Sequence, residues 1–345
     1  VPAVSATRLV DRSPSATAEQ LLAQFQPPPR FADVGFDTYL PNPDEPTQAA
    51  ALAGLRAFAG RLQAPEPRRR GLFRRGAPPE ARPGIYLDGG FGVGKTHLLA
   101  SLVRAVPGPA AFGTFVEYTH LVGALGFAAT VDRLAAYRLV AIDEFELDDP
   151  GDTVLMSTLL GRLVERGVRL AATSNTLPDR LGEGRFAAED FLREIQGLSA
   201  HFDVYRIDGP DYRHRGLPDA PPPATDLQVA SGVGPGATLD DFEELLMHLA
   251  RVHPSRYGQL LDGVTAVHLR GVHPVADQAA ALRLVVLADR LYDRDVPVVA
   301  SGSPLDGLFT PELLAGGYRK KYYRAISRLV ALAREGSGLT AHGLG

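Results

Sequence analysis

The chain has 345 residues, 45% of them hydrophobic and 22% charged, with a formal net charge of -4. This composition predicts a soluble globular protein with a sizeable core, in one large domain or two smaller ones, and without the overall basic field that draws a protein to nucleic acid. Cysteine is absent, which excludes disulfides, thiolate zinc sites and a cysteine nucleophile and accords with a reducing cytosol. No N-terminal apolar segment and no uncharged apolar run of about 18 residues is present, so neither a signal peptide nor a transmembrane helix is expected.

Residues 1–35 read as an N-terminal arm. It carries an amphipathic piece at 18–25 that stops in Gln26-Pro27-Pro28-Pro29-Arg30, a polyproline break. Residues 31–46 are aromatic and irregular, with Phe36 and Tyr39 as anchors, and apolar residues at helical spacing predict a helix over 48–62. The connection at 63–83 is rich in Pro, Gly and Arg and contains Arg68-Arg69-Arg70-Gly71-Leu72-Phe73-Arg74-Arg75. That run offers a cationic surface to acidic protein, anionic lipid or nucleic acid, or is simply a solvated loop.

The stretch with the most chemistry follows. Residues 85–87 read as a short buried strand, and Gly89-Gly90-Phe91-Gly92-Val93-Gly94-Lys95-Thr96 fits G-x-x-x-x-G-K-[ST], the phosphate-binding P-loop. Glycines let backbone N–H groups turn inward around phosphates, Lys95 reaches the β- and γ-phosphates, and the Thr96 hydroxyl ligates Mg²⁺. His97 opens an apolar helix over 97–103, whose N-terminal dipole favours the same anion. Among 36 Lys and Arg residues, lysine stands only at 95, 320 and 321. Its presence here therefore singles out a point-charge phosphate binder.

Beyond the loop, 110–118 is expected to be a strand and 120–129 partly helical. The apolar run Leu139-Val140-Ala141-Ile142 ending in Asp143-Glu144 is the Walker B pattern, a central parallel strand that delivers carboxylates to its C-terminal edge. Asp143 suits the Mg²⁺ shell and Glu144 a general base for the attacking water. A helix over 152–166 leads to the strand 168–175, which ends in Asn175. In additional-strand P-loop ATPases, which this order resembles, that position senses the γ-phosphate and orients the water; the plainer reading is a turn residue. Residues 178–200 hold Arg180, Arg185 and Arg193. Arg185 and Arg193 are the candidates for an arginine finger acting on a neighbour's nucleotide, against ordinary surface ion pairing. A fifth strand is expected at 204–207.

Residues 214–237, with Pro221-Pro222-Pro223 and Gly232-Val233-Gly234-Pro235-Gly236, read as a linker. After it Thr238 is expected to cap a helix, with Asp241 three residues on. Strands at 264–272 and 296–302 flank a helix at 277–294. This α/β rhythm predicts that they extend the first sheet or lie close beside it. In a last helix at 318–334, Arg324 and Arg328 are one turn apart and can face one partner, beside the nucleotide in the functional reading.

Assembled, these motifs resemble the ZapE cell-division ATPases and their mitochondrial AFG-like relatives. The resemblance rests on Gln48-Ala49-Ala50-Ala51-Leu52, the P-loop, Ile142-Asp143-Glu144-Phe145, Thr173-Ser174-Asn175, Phe191-Leu192 and Asp211-Tyr212-Arg213. It continues through Asp289-Arg290-Leu291-Tyr292-Asp293 and Tyr323-Arg324-Ala325-Ile326-Ser327-Arg328-Leu329, so it covers most of the chain from 35 to 335. It implies an α/β parallel-sheet P-loop NTPase with an AAA-type core at 36–213, a C-terminal α/β region at 238–345, and ATP and Mg²⁺ as ligands. It further implies nucleotide-dependent homo-oligomerisation and a cytoplasmic role at the division site on FtsZ polymers, with peripheral membrane contact left open. The alternatives are a protein quality-control ATPase, a nucleic-acid-directed ATPase resembling helicase loaders, which the acidic net charge disfavours, and a nucleotide-binding scaffold, which the Asp143-Glu144 pair disfavours. One departure bears on the finger. The family places arginine just before the position of Phe191, where this chain has Ala187-Ala188-Glu189-Asp190.

Overall fold

The computed structural model describes residues 7–14, 18–63, 82–90, 92–147, 150–181, 192–209 and 219–341. The chain forms two compact units. One comprises Thr17–Pro27 and Phe31–Asp211, the other Val1–Ala16, Pro28–Arg30 and Tyr212–Gly345.

The first unit is built on five strands, β1 (Gly84–Gly89), β2 (Ala110–Thr114), β3 (Leu139–Asp143), β4 (Arg169–Ser174) and β5 (Phe202–Ile207). All pair in parallel, in the order β2-β3-β4-β1-β5. Every residue of β1 and β3 is buried, as continuous apolar runs must be when helices cover both faces of a parallel sheet. The helices are α1 (Ala18–Ala23), α2 (Pro46–Gln63), α3 (Lys95–Ala105), α4 (Phe115–Leu125), α5 (Phe127–Leu134), α6 (Pro150–Glu165) and α7 (Leu192–Ser199). Because β4 lies between β1 and β3, the end of β4 emerges between the P-loop and the Asp143 carboxylate.

Local capping moves one predicted boundary. The strand expected at 110–118 stops at Thr114, where the Glu117 carboxylate accepts from the Thr114 N–H (2.6 Å) and hydroxyl (2.9 Å) and starts α4 as a capping box. Phe115, Val116 and Tyr118 favour a strand by propensity, but the cap overrides them. The partly helical 120–129 resolves into α4 and α5, parted at Gly126 with φ 80°, a conformation costly for any residue with a Cβ.

The arm at 1–35 is not one element. The Phe25 carbonyl accepts from Phe112 N (2.9 Å) and its ring lies 4.6 Å from Tyr118, so residues 18–27 cover the β2 edge of the first unit. Residues 7–14 belong to the other unit, where Thr7 bridges Thr238 and Leu9 is fully buried. Hydrophobic periodicity marks a face for burial without naming the core that receives it.

The second unit has its own three-stranded parallel sheet, β6 (Ala237–Asp241), β7 (Ala266–Val272) and β8 (Val298–Gly302), in the order β6-β7-β8. Around it lie α8 (Asp226–Ser231), α9 (Phe242–Leu249), α10 (Tyr257–Leu260), α11 (Gln278–Asp293), α12 (Pro311–Ala315) and α13 (Arg319–Ala341). Of the two arrangements expected for the later strands, extension of the first sheet is not the one formed: β7 pairs with β6 on one side and β8 on the other. Thr238 lies within β6 and caps nothing; the Asp241 carboxylate caps α9, accepting from Glu243 N (3.1 Å) and Glu244 N (3.3 Å). The linker expected at 214–237 is likewise structured over 219–237. There Ala224 N donates to Ala300 O (2.9 Å) and the Gln228 side chain accepts from Thr225 N (2.9 Å) at the head of α8. No described helix is long and apolar enough to cross a membrane.

Arg324 and Arg328 do share a partner, and it is a carboxylate. Asp289 on α11 accepts from Arg324 Nη2 (2.6 Å) and from Arg328 Nη1. Burial alone would push the Asp289 carboxyl up, but the two guanidiniums together outweigh it and hold it below the ordinary range.

Candidate nucleotide site

The phosphate-binding loop is shaped by two left-handed glycines, Gly92 (φ 78°) and Gly94 (φ 86°). A Cβ at Gly94 would stand 2.6 Å from Tyr39 Cε2, so the position is closed to other residues by both backbone and neighbour. Tyr39 is buried, and its hydroxyl donates to Val93 O (2.9 Å). The anchor expected from the aromatic lead-in thus supports the loop itself. Thr38 Oγ1 lies 2.9 Å from His97 Nε2, and the His97 ring packs edge-on against Tyr39 at 5.7 Å. Helix α3 starts at Lys95 with Gly94 as its N-cap, so its unpaired N–H groups and dipole are aimed where the motif puts phosphate.

Lys95 Nζ donates to Gly89 O (2.8 Å), Gly90 O (2.6 Å) and Asn175 Oδ1 (2.9 Å). Thr96 Oγ1 donates to Asp143 Oδ2 (3.0 Å). The register explains both contacts: Asp88 of β1 pairs with Ser174 of β4, so Asn175 follows beside the loop, and Ile142 pairs with Ala172, so Asp143 lies beside Thr173. Thr173 binds this edge together. Its hydroxyl donates to Asp143 Oδ1 and accepts from Glu144 N (3.1 Å), and its carbonyl accepts from Phe145 N (2.7 Å).

Glu144 has φ 53°, a left-handed conformation rare for residues other than glycine and costing about 1–3 kcal/mol. The chain turns sharply there, and Phe145 is sunk against Phe115 with ring centroids 5.5 Å apart. Glu146 comes next, 6% exposed, and its Oε1 accepts from Asn175 Nδ2 (3.3 Å). Under the loop, burial pushes the Asp88 carboxyl up, while Arg206 at 2.8 Å and the Lys95 charge pull the other way.

The structure therefore brings Gly89, Gly90, Gly92, Val93, Gly94, Lys95, Thr96, His97, Asp143, Glu144 and Asn175 to the C-terminal ends of β1, β3 and β4 and the start of α3. Arg193 is an exposed residue of α7. Phe91, Arg185 and the 68–75 insert lie outside the described residues. Sequence reasoning missed Thr173, Glu146 and the Asp88–Arg206 pair. Of these only Glu146 gave a signal, as a third acid two residues beyond Glu144. A hydroxyl and a carboxylate 3.0 Å apart are hard oxygen donors of the kind that suit Mg²⁺, which takes one or two protein ligands and completes its shell from phosphate and water.

The AFG1-like ATPase family model matches residues 15–233 and 224–337. The chain belongs to the AFG1-like ATPase family. The family expected from the motifs is thus borne out, together with the parallel α/β P-loop fold and the ATPase class that it carries. Over 149 residues this AFG1-like chain is 35% identical to the cell division protein ZapE of Escherichia coli K12, covering 40% of each protein. It is 29% identical over 148 residues to an uncharacterized protein of Schizosaccharomyces pombe, covering 38% of this chain and 33% of that one. The matches thus span about two fifths or less of these relatives' length. Domain III of the Thermotoga maritima replication initiation protein DnaA superposes with a TM-score of 0.39 at 17% identity, over 53% of this chain and 69% of that one.

Proposed function

We propose that this AFG1-like protein hydrolyses ATP with Mg²⁺ and uses the energy to remodel a protein of the division machinery, FtsZ polymers being the favoured partner. The observation that carries the reading is the convergence of Lys95, Asn175, Thr96 and Asp143 on one sheet edge, with Lys95 2.9 Å from Asn175 and Thr96 3.0 Å from Asp143. The likeness to ZapE supplies the division context.

In this mechanism the loop N–H groups and Lys95 hold the β- and γ-phosphates, Lys95 exchanging the Gly89 and Gly90 carbonyls for phosphate oxygens. Thr96 and Asp143 would hold Mg²⁺, which when bound neutralises charge on the phosphate oxygens. Glu144 accepts the proton of the attacking water. Asn175 orients that water. An arginine of a neighbouring subunit, Arg193 or Arg185, adds charge stabilisation in a nucleotide-dependent homo-oligomer, and the resulting switch at the subunit interface is what moves the partner. The setting is the cytoplasm at the division site, with peripheral membrane contact open to the 68–75 insert.

The test is ATP turnover per subunit against protein concentration, with and without FtsZ filaments. The reading expects turnover to climb with concentration and to respond further to filaments. A flat profile would overturn the shared site, and indifference to filaments would overturn the partner.

A further inference from the structure

Asn175 sits between two groups that leave its amide no choice of orientation. On one side is the Lys95 ammonium, which can only donate; on the other is the Glu146 carboxylate, which when ionised can only accept. Amide oxygen and nitrogen are almost alike in shape, but turning this one over would set NH₂ against NH₃⁺ and a carbonyl against a carboxylate. The observed state, Oδ1 at 2.9 Å from Lys95 Nζ and Nδ2 at 3.3 Å from Glu146 Oε1, is therefore the one that the flanking charges enforce.

We infer that Glu146 is a positioning residue of this site: it holds the Asn175 amide so that an acceptor oxygen faces the phosphate side. The inference rests on the proposed role of Asn175 in orienting water and sharpens it. An Asn175 held this way directs the attacking water by accepting one of its hydrogens, which turns the oxygen lone pair away from Asn175. Three features fit Glu146 for holding something still. It is 6% exposed; its neighbour Phe145 is fully buried in an edge-on contact with Phe115; and the segment is tied to β4 by Glu144 N to Thr173 Oγ1 (3.1 Å) and Phe145 N to Thr173 O (2.7 Å). A carboxylate on such a short, doubly anchored segment has little freedom to follow a moving amide, so the amide follows it.

The experiment compares steady-state kcat and the affinity for a fluorescent ATP analogue in the full chain carrying Glu146→Leu, Asn175→Ala or both. Glu146→Leu is expected to lower kcat about tenfold while changing nucleotide affinity by less than about threefold, the loss expected for one hydrogen bond to a charged group used in positioning. The double variant is expected to be no slower than Asn175→Ala alone, because a residue that works through Asn175 has nothing left to position. Losses that multiply in the double variant, or a Glu146→Leu enzyme at the parental rate, would overturn the inference and leave the role of Asn175 standing. An Asn175→Ala enzyme at the parental rate would overturn both. Should Glu146→Leu not fold, Glu146→Gln matches it in the cycle: its oxygen still accepts the Asn175 hydrogen but no longer forbids the flipped amide. A loss of about threefold, again absent on the Asn175→Ala background, is expected, and an equal loss on both backgrounds overturns the inference.

Discussion

Replacing Thr173 by valine keeps the shape of a 1%-exposed side chain and removes one oxygen from the centre of the site. That oxygen donates to the Asp143 carboxylate and accepts from the Glu144 N–H. A hydrogen bond to a charged group is worth about 1.5–3 kcal/mol and a neutral one about 1, so the end of β3 should lose about 2–4 kcal/mol of local stability. Glu144 would then have one anchor fewer to hold its left-handed backbone. The measurement is amide hydrogen exchange over residues 139–147. A loss of that size speeds exchange about 30- to 1,000-fold, at 1.36 kcal/mol per tenfold. Turnover should fall at least about tenfold, because the base and the metal-side carboxylate lose a common support. Thr173→Ser, which keeps the oxygen, should stay near the parent in both assays. Exchange within threefold of the parent in Thr173→Val would refute the reasoning, since the hydroxyl would then carry no structural weight.

Three further outcomes follow from the geometry. Glu144→Gln should bind ATP within about twofold of the parent and turn over about 10²–10⁴-fold more slowly, the contribution expected of a general base; parental turnover would sink the assignment. Gly94→Ala forces φ 86° on a residue with a Cβ and sets that atom 2.6 Å from the Tyr39 ring, so nucleotide affinity, read by fluorescence titration, should fall about tenfold or more. In the second unit, Asp289→Asn strips the charge shared by Arg324 and Arg328 and should cost about 3–5 kcal/mol in denaturant melts at neutral pH. Because the folded Asp289 carboxyl is held below its ordinary value, its contribution is fully present above about pH 4 and drains away as pH falls through the folded value. The Asn variant should lack that acid-side loss, and acid titrations of parent and variant that run parallel would refute the account.

The fold was legible where burial is continuous and fails where a distant partner decides. Strands β1, β3 and β4 announce themselves as apolar runs because helices cover both faces of the sheet. Strand β6 does not. Ala237-Thr238-Leu239-Asp240-Asp241 carries two acids and reads as the head of a helix. Yet Asp240 is 1% exposed and accepts from Leu9 N (3.0 Å) and Val10 N (3.1 Å). Burial pushes its carboxyl up, and these two N–H bonds pull against that shift. Their donors stand about 230 positions away in the chain, beyond the reach of any local pattern. With β6 unseen, β7 and β8 lacked the neighbour that completes a separate sheet, so extension of the first sheet stood among the expected arrangements.

The site divides along the same line. Lys95 and Thr96 are legible because one eight-residue loop contains both the backbone N–H groups and the side chains that hold phosphate, and Asp143-Glu144 because a buried strand has to end at the sheet edge. Thr173 and Glu146 acquire meaning only through strand order and register. Once β4 is placed between β1 and β3, the pairing of Ile142 with Ala172 sets Thr173 beside Asp143, and the pairing of Asp88 with Ser174 sets Asn175 beside the loop. A slip of one residue in either pairing would turn alternate side chains to the opposite face and part Lys95 from Asn175, Thr96 from Asp143, or both. The motifs supply the functional groups, while the register of the inserted strand sets them within hydrogen-bonding distance. Thr173, which joins Asp143 to Glu144, is the residue through which a change in that strand would be felt on both acids at once.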